Sequence, residues 1–120
     1  MTSRASIAAL VLLPLVAVTA CHSAHVELTV ENRTGAEVRQ LEVDYPNASF
    51  GVDTLASGAV YHYRIQVTGK GPVKVQYTGA ANQQPHISGT DLAAGDRGLL
   101  EIVLLPAGKA EFHPKIAQDH

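Results

Sequence analysis

Histidines are the side chains of this sequence best suited to chemistry. There are six: His22, His25, His62, His86, His113 and His120. A neutral imidazole ligates divalent metals, and a site betrays itself by ligands at i and i+2 on a strand or at i and i+4 on a helix. Only His22 and His25 lie close together, in what reads as a short tether. His62 has Arg64 two residues on, and a cation there repels a metal. The spacing therefore predicts no metal site. Covalent catalysis needs a nucleophile beside a base. Ser57, in Ala56-Ser57-Gly58, lacks the upstream glycine of a G-x-S-x-G elbow. Glu42 and Asp44 alternate onto one strand face, as on any polar surface. Gly69-Lys70-Gly71 is too short for a phosphate loop. No catalytic residue, metal ligand or cofactor is expected, and the chain reads as non-enzymatic.

Cys21 is the single cysteine, and it follows an apolar run of 14 residues, Ile7 to Ala20. Pro14 interrupts that run and Arg4 precedes it. A helix that crosses a bilayer core needs about 20 apolar residues, so the run is too short. A charged start, a short apolar stretch and small residues before a cleavage point make a secretory signal peptide. Val18-Thr19-Ala20-Cys21 resembles the lipobox of bacterial lipoproteins. The resemblance implies cleavage between Ala20 and Cys21, a diacylglyceryl group on the Cys21 thiol, and Cys21 as the first residue of the mature chain. Plain secretion with a bare thiol and an uncleaved membrane anchor are the alternatives. Acylation accounts for a lone thiol in an exported chain. Two or more acyl chains make a stable anchor, at about 0.8 kcal/mol per buried methylene. His22 stands where an Asp would resemble an inner-membrane retention signal, which points to the outer membrane, facing the periplasm.

The rest must fold without a disulfide. Taking residues 1–20 as the leader leaves 100 residues, one domain's length. Arg4 leaves with the leader, so 8 Lys+Arg face 11 Asp+Glu, a formal charge of −3. No basic cluster is present, which argues against nucleic acid as a partner. Residues 21–25 read as a lipidated tether, 26–113 as the folded domain and 114–120 as a tail. Two N-x-[ST] sequons begin at Asn32 and Asn47 and read as chance in a bacterial lipoprotein.

Helical periodicity is nearly absent. Apolar residues alternate with polar ones between Gly, Pro, Asn and Asp, the pattern of antiparallel strands with one buried face. Val26, Leu28 and Val30 face in, and a turn at Asn32–Gly35 follows. Leu41, Val43 and Tyr45 share a face. Val38 falls out of phase with them, which predicts either a bulge between Val38 and Leu41 or a strand that starts at Arg39. Strands are further expected over Phe50–Leu55, Val60–Val67, Pro72–Thr78, His86–Thr90, Gly98–Leu105 and Ala110–His113. Tyr61, Tyr63, Ile65 and Val67 are expected on the core side, as are Val73, Val75 and Tyr77. Thr68–Gly71 reads as a hairpin turn. Gly98–Leu105 is apolar on both faces apart from Glu101, so it should be central and covered, or meet a partner. Asp53–Gly58 is similar to the turn that precedes a strand in many bacterial immunoglobulin-like modules, with Ser57 in place of Pro.

Seven or eight short strands at this spacing predict an all-β fold, a single immunoglobulin-like β-sandwich. The function class that remains is a non-enzymatic, lipid-anchored envelope protein that binds or scaffolds. An accessory subunit docking through the Leu99–Leu105 strand and a small-ligand or metal carrier are the other readings. The expected partners are the membrane, through the anchor, and other envelope proteins.

Overall fold

The computed structural model describes residues 24–118. The leader, the Ala20–Cys21 junction, His22 and His120 lie outside the described residues. Eight strands follow one another: β1 (Val26–Asn32), β2 (Val38–Tyr45), β3 (Ala48–Leu55), β4 (Val60–Ile65), β5 (Gly71–Thr78), β6 (His86–Leu92), β7 (Asp96–Leu105) and β8 (Lys109–Gln118). They build two four-stranded sheets, sheet A in the order β4-β1-β7-β8 and sheet B in the order β3-β2-β5-β6. The sheets pack as a sandwich.

Chain direction reverses at every connection, so odd-numbered strands run one way and even-numbered strands the other. All neighbours are therefore antiparallel except β1 and β7, both odd, which pair in parallel from Val26↔Gly98 to Asn32↔Leu104. The expectation of a wholly antiparallel sandwich is corrected at that one ladder. The strand order is the fold's own. The first strand lies inside sheet A, whereas the immunoglobulin constant-domain order puts the first strand at an edge.

The core lies between the sheets. Val26, Leu28 and Val30 of β1 are fully buried, as their alternation requires, and face Leu41, Val43, Val73 and Val75 of sheet B among others. Each such side chain contributes about 1.5–3 kcal/mol on burial. Asn32 continues the inward phase and is also fully buried. Its amide nitrogen donates to the carbonyls of Ala36 (2.7 Å) and Leu55 (2.9 Å). Its oxygen accepts from the backbone N–H of Thr34 (3.0 Å) and the Thr34 hydroxyl (2.7 Å). A buried amide with these partners is not desolvated at a loss. It ties the β1–β2 turn to the end of β3.

The predicted bulge is present. The β2–β5 register shifts between Arg39 and Glu42, and Gln40 takes a left-handed φ of 52°. That shift restores Val38 to the core side.

Four sequence expectations are corrected. Thr68–Gly71 does not close a hairpin, because β4 and β5 belong to different sheets. β8 runs to Gln118, so residues 114–118 are strand and not tail. Pro114 is tolerated there because β8 is an edge strand, where a missing N–H faces away from the ladder. β3 begins at Ala48, since Pro46 and Asn47 alone make the turn, with Asn47 at φ 70°. Tyr63, expected in the core, is 40% exposed.

The last correction follows from how the sandwich closes its sides. β3 and β4 are edge strands on one side. There the Phe50 ring stacks on Tyr63 with centroids 4.3 Å apart, and on Tyr61 at 6.0 Å. Tyr45 completes the cluster, 6.4 Å from Phe50. Burial pushes the Tyr45 phenol pKa up, and nearby Tyr63 adds to the effect. Phe50 belongs to the core, and the tyrosines flank it toward the open edge, where Tyr63 is the most exposed. On the opposite side β6 meets β8, where Phe112 lies flat against Gly89, so closely that a Cβ on Gly89 would overlap the ring.

Candidate binding groove

His62 and His113 project from the outer face of sheet A in one cross-strand row, with Thr29 and Glu101 between them. Strands are about 4.8 Å apart, so three steps place the two histidine backbones about 14 Å apart. His113 meets Glu111 at 3.2 Å, and Arg64, two residues after His62, pairs with Glu27 at 2.8 Å. Among the described residues no three His, Cys, Asp or Glu side chains gather as a metal site would need.

The outer face of sheet A carries charge that is mostly spent internally. Arg33 donates to Glu31 at 2.7 Å, and Glu101 and Glu111 add to the field that holds the guanidinium protonated. Leu99 is 49% exposed on this face, but Val103 two rows away is buried. The predicted two-sided apolar strand is therefore central and largely covered, with one exposed leucine and no continuous apolar stripe.

Sheet B presents a concave surface. Three cavities run along its outer face. The first, about 470 Å³, is lined by Arg39, Gln40, Asp53, Thr54, Thr78, Asn82 and Gln84. The second, about 270 Å³, shares Gln40, Thr78 and Gln84 with it and adds Glu42, Gln76 and His86. The third, about 120 Å³, shares Gln76 and His86 with the second and reaches Asp44, Lys74 and Ser88. Shared walls make the three one groove, which runs along β2 and β5.

Local structure explains why these side chains point there. On β2, Glu42 and Asp44 alternate with buried Leu41 and Val43. On β5, Lys74 and Gln76 alternate with buried Val73, Val75 and Tyr77. At the bulge two residues of β2 oppose one of β5, which turns Gln40 out to the groove. Its side-chain oxygen accepts from the Thr78 hydroxyl at 3.3 Å. Gln76 donates to Glu42 at 2.9 Å, and Arg39 donates to Asn82 at 3.1 Å. A side-chain hydrogen bond with Asp44, and then its negative charge, hold the Glu42 pKa above the ordinary value of 4.5.

No known protein family matches the sequence, and no curated protein matches it. A solved structure does: the chain is similar to an NMR structure of a protein from Eubacterium rectale. The match has a TM-score of 0.57 at 15% identity and covers 83% of this chain and 95% of the other. At that identity the likeness is one of fold.

Sequence reasoning missed the groove. Gln40, Gln76 and Gln84 come from β2, β5 and the loop before β6, and nothing in their spacing signals that they meet. The one usable signal was the phase break between Val38 and Leu41, which located the bulge but not what it faces.

Proposed function

We propose that this protein is a non-catalytic binding module of the bacterial cell envelope, lipid-anchored through Cys21. Val18-Thr19-Ala20-Cys21 carries the reading: a lipobox-like cleavage site, and a sole cysteine placed where acylation uses it. The fold is compatible with such an anchor. β1 starts at Val26, five residues beyond Cys21, and β8 ends at the same end of the sandwich. A lipid on Cys21 would set that end beside the bilayer and leave the long faces of both sheets accessible. His22 in place of Asp favours the outer membrane, with the domain in the periplasm.

Cell fractionation tests this. Wild-type protein is expected in the membrane fraction, and Cys21→Ser is expected in the soluble periplasm. Mass spectrometry of the wild type should find a chain that starts at Cys21 with acyl mass added. Membrane retention of Cys21→Ser, or an N-terminus elsewhere, overturns the anchor.

A further inference from the structure

We infer that the groove on the outer face of sheet B is a binding site for a neutral oligosaccharide. The assignment rests on the reading of this domain as a binding module, and it does not depend on the lipid.

Size comes first. The groove follows β5 from Lys74 to Thr78, about 14 Å at the rise of an extended strand. Its widest part, about 470 Å³, lies at the Asp53–Asn82 end. A trough of this length suits an extended chain of rings better than a single small molecule.

Chemistry comes second. A sugar hydroxyl both donates and accepts, so the side chains that match it best also do both. Primary amides and hydroxyls have this property, and carboxylates accept from two hydroxyls at once. Gln40, Gln76 and Gln84 stand along the trough, with Thr54, Thr78 and Asp53 beside them. The polar groups already bonded across the groove, Gln76 to Glu42 and Thr78 to Gln40, keep further donor or acceptor capacity. They are held in place by those bonds, so little side-chain freedom is lost on binding.

Charge comes third and selects against the alternatives. Arg39 stands at one end and Lys74 at the other, with Asp53, Glu42 and Asp44 along the length. A polyanion would meet three carboxylates, and a polycation would meet a positive charge at each end. A peptide would look for apolar hollows to take its side chains; the two larger cavities are lined by polar residues apart from Tyr77, and Val75 and Ile87 line only the smallest. The backbone geometry agrees. Gln40, a non-glycine residue at φ 52°, sits where the two larger cavities join. Backbone outliers of this kind persist where the surrounding structure enforces them, often at ligand sites.

The test uses the full mature protein extracted in detergent, applied to a printed array of neutral and anionic oligosaccharides that includes peptidoglycan fragments, and to a peptide array. Binding to neutral glycans is expected. For the best array glycan, Gln76→Ala and Gln84→Ala should each weaken affinity about tenfold, the worth of one or two hydrogen bonds. Gln66→Ala, outside the groove, should leave it unchanged. Affinity should hold between low and high salt, because a neutral ligand has no charge to screen. Thermal melts of each variant separate lost binding from lost folding, and Gln84, on an exposed loop, keeps the test open if Gln76→Ala unfolds. No binding to any neutral glycan overturns the assignment, as does glycan binding that both variants retain. Binding confined to anionic glycans, or falling steeply with salt, overturns it too. Binding to peptides alone overturns the sugar assignment and leaves the binding-module reading standing. Fractionation of Cys21→Ser reads the anchor separately.

Discussion

At the residue scale, Asn32 shows how much one buried polar group can hold. It bonds across 23 positions to Leu55 and locally to Ala36 and Thr34. Replacing it by Ala removes the amide bonds to the Leu55 and Ala36 carbonyls, of which Ala36 keeps the Thr34 hydroxyl, and leaves a hole. Asn32→Ala is expected to destabilise the domain by about 3 kcal/mol. A thermal melt should read this as a fall in Tm of about 12–24 °C for a domain of this size. Asn32 also opens a sequon, and its complete burial removes it as a glycan acceptor in the folded protein.

Glu42 gives the pH-dependent case. Its pKa is raised in the folded protein, chiefly by the hydrogen bond and charge of Asp44. A raised folded-state pKa means the native form holds the proton more tightly than the unfolded chain does. The stabilising contribution is therefore present at low pH and is lost as pH rises through that pKa. At neutral pH two carboxylates face each other. Glu42→Gln removes one charge and keeps an oxygen for Gln76. The variant should melt higher than wild type at pH 7 and equal to it near pH 4, and a gain of the same size at both values would remove the proton-sharing account.

At the element scale, position within a sheet matters more than composition. β1 and β7 of sheet A and β2 and β5 of sheet B are each paired on both sides, whereas β3, β4, β6 and β8 are edges. Hydrogen exchange should find the slowest amides in the four central strands, β1, β7, β2 and β5, and the fastest among the outward amides of the four edge strands. Uniform protection across sheet A would contradict the strand order. The edges are managed differently. Pro114 and Lys115 blunt β8, and Phe112 locks it against β6 at Gly89. The β3–β4 side relies on Phe50 and the tyrosines. Tyr63 stays partly exposed for that reason, although it alternates with Ile65 in the same way as a core residue.

At the scale of the whole molecule, the reversing chain path sorts the connections into two ends. One end holds the start of β1, the end of β8 and the turns at 46–47, 66–70 and 93–95. The other holds the turns at 33–37, 56–59, 79–85 and 106–108. The proposed anchor at Cys21 would orient the molecule by that division, with the groove of sheet B running from one end toward the other. Loss of Cys21 should therefore change where the protein resides while leaving the groove's binding intact.

What the sequence determined by itself is local. Alternation placed β1, β2, β4 and β5 to within two residues, because a half-buried strand must change polarity at every step. The phase break at Val38 disclosed the bulge, and the lone Cys21 after an apolar run carries the proposed anchor. Pairing was not legible. β4 and β5 read as a hairpin because the turn residues between them suit one, yet they part into different sheets. The parallel ladder of β1 with β7 joins residues some seventy positions apart. The tertiary structure alone decided these, and with them the groove, because register and sheet order are set by how whole faces bury against one another. Single-residue preferences do not carry that information.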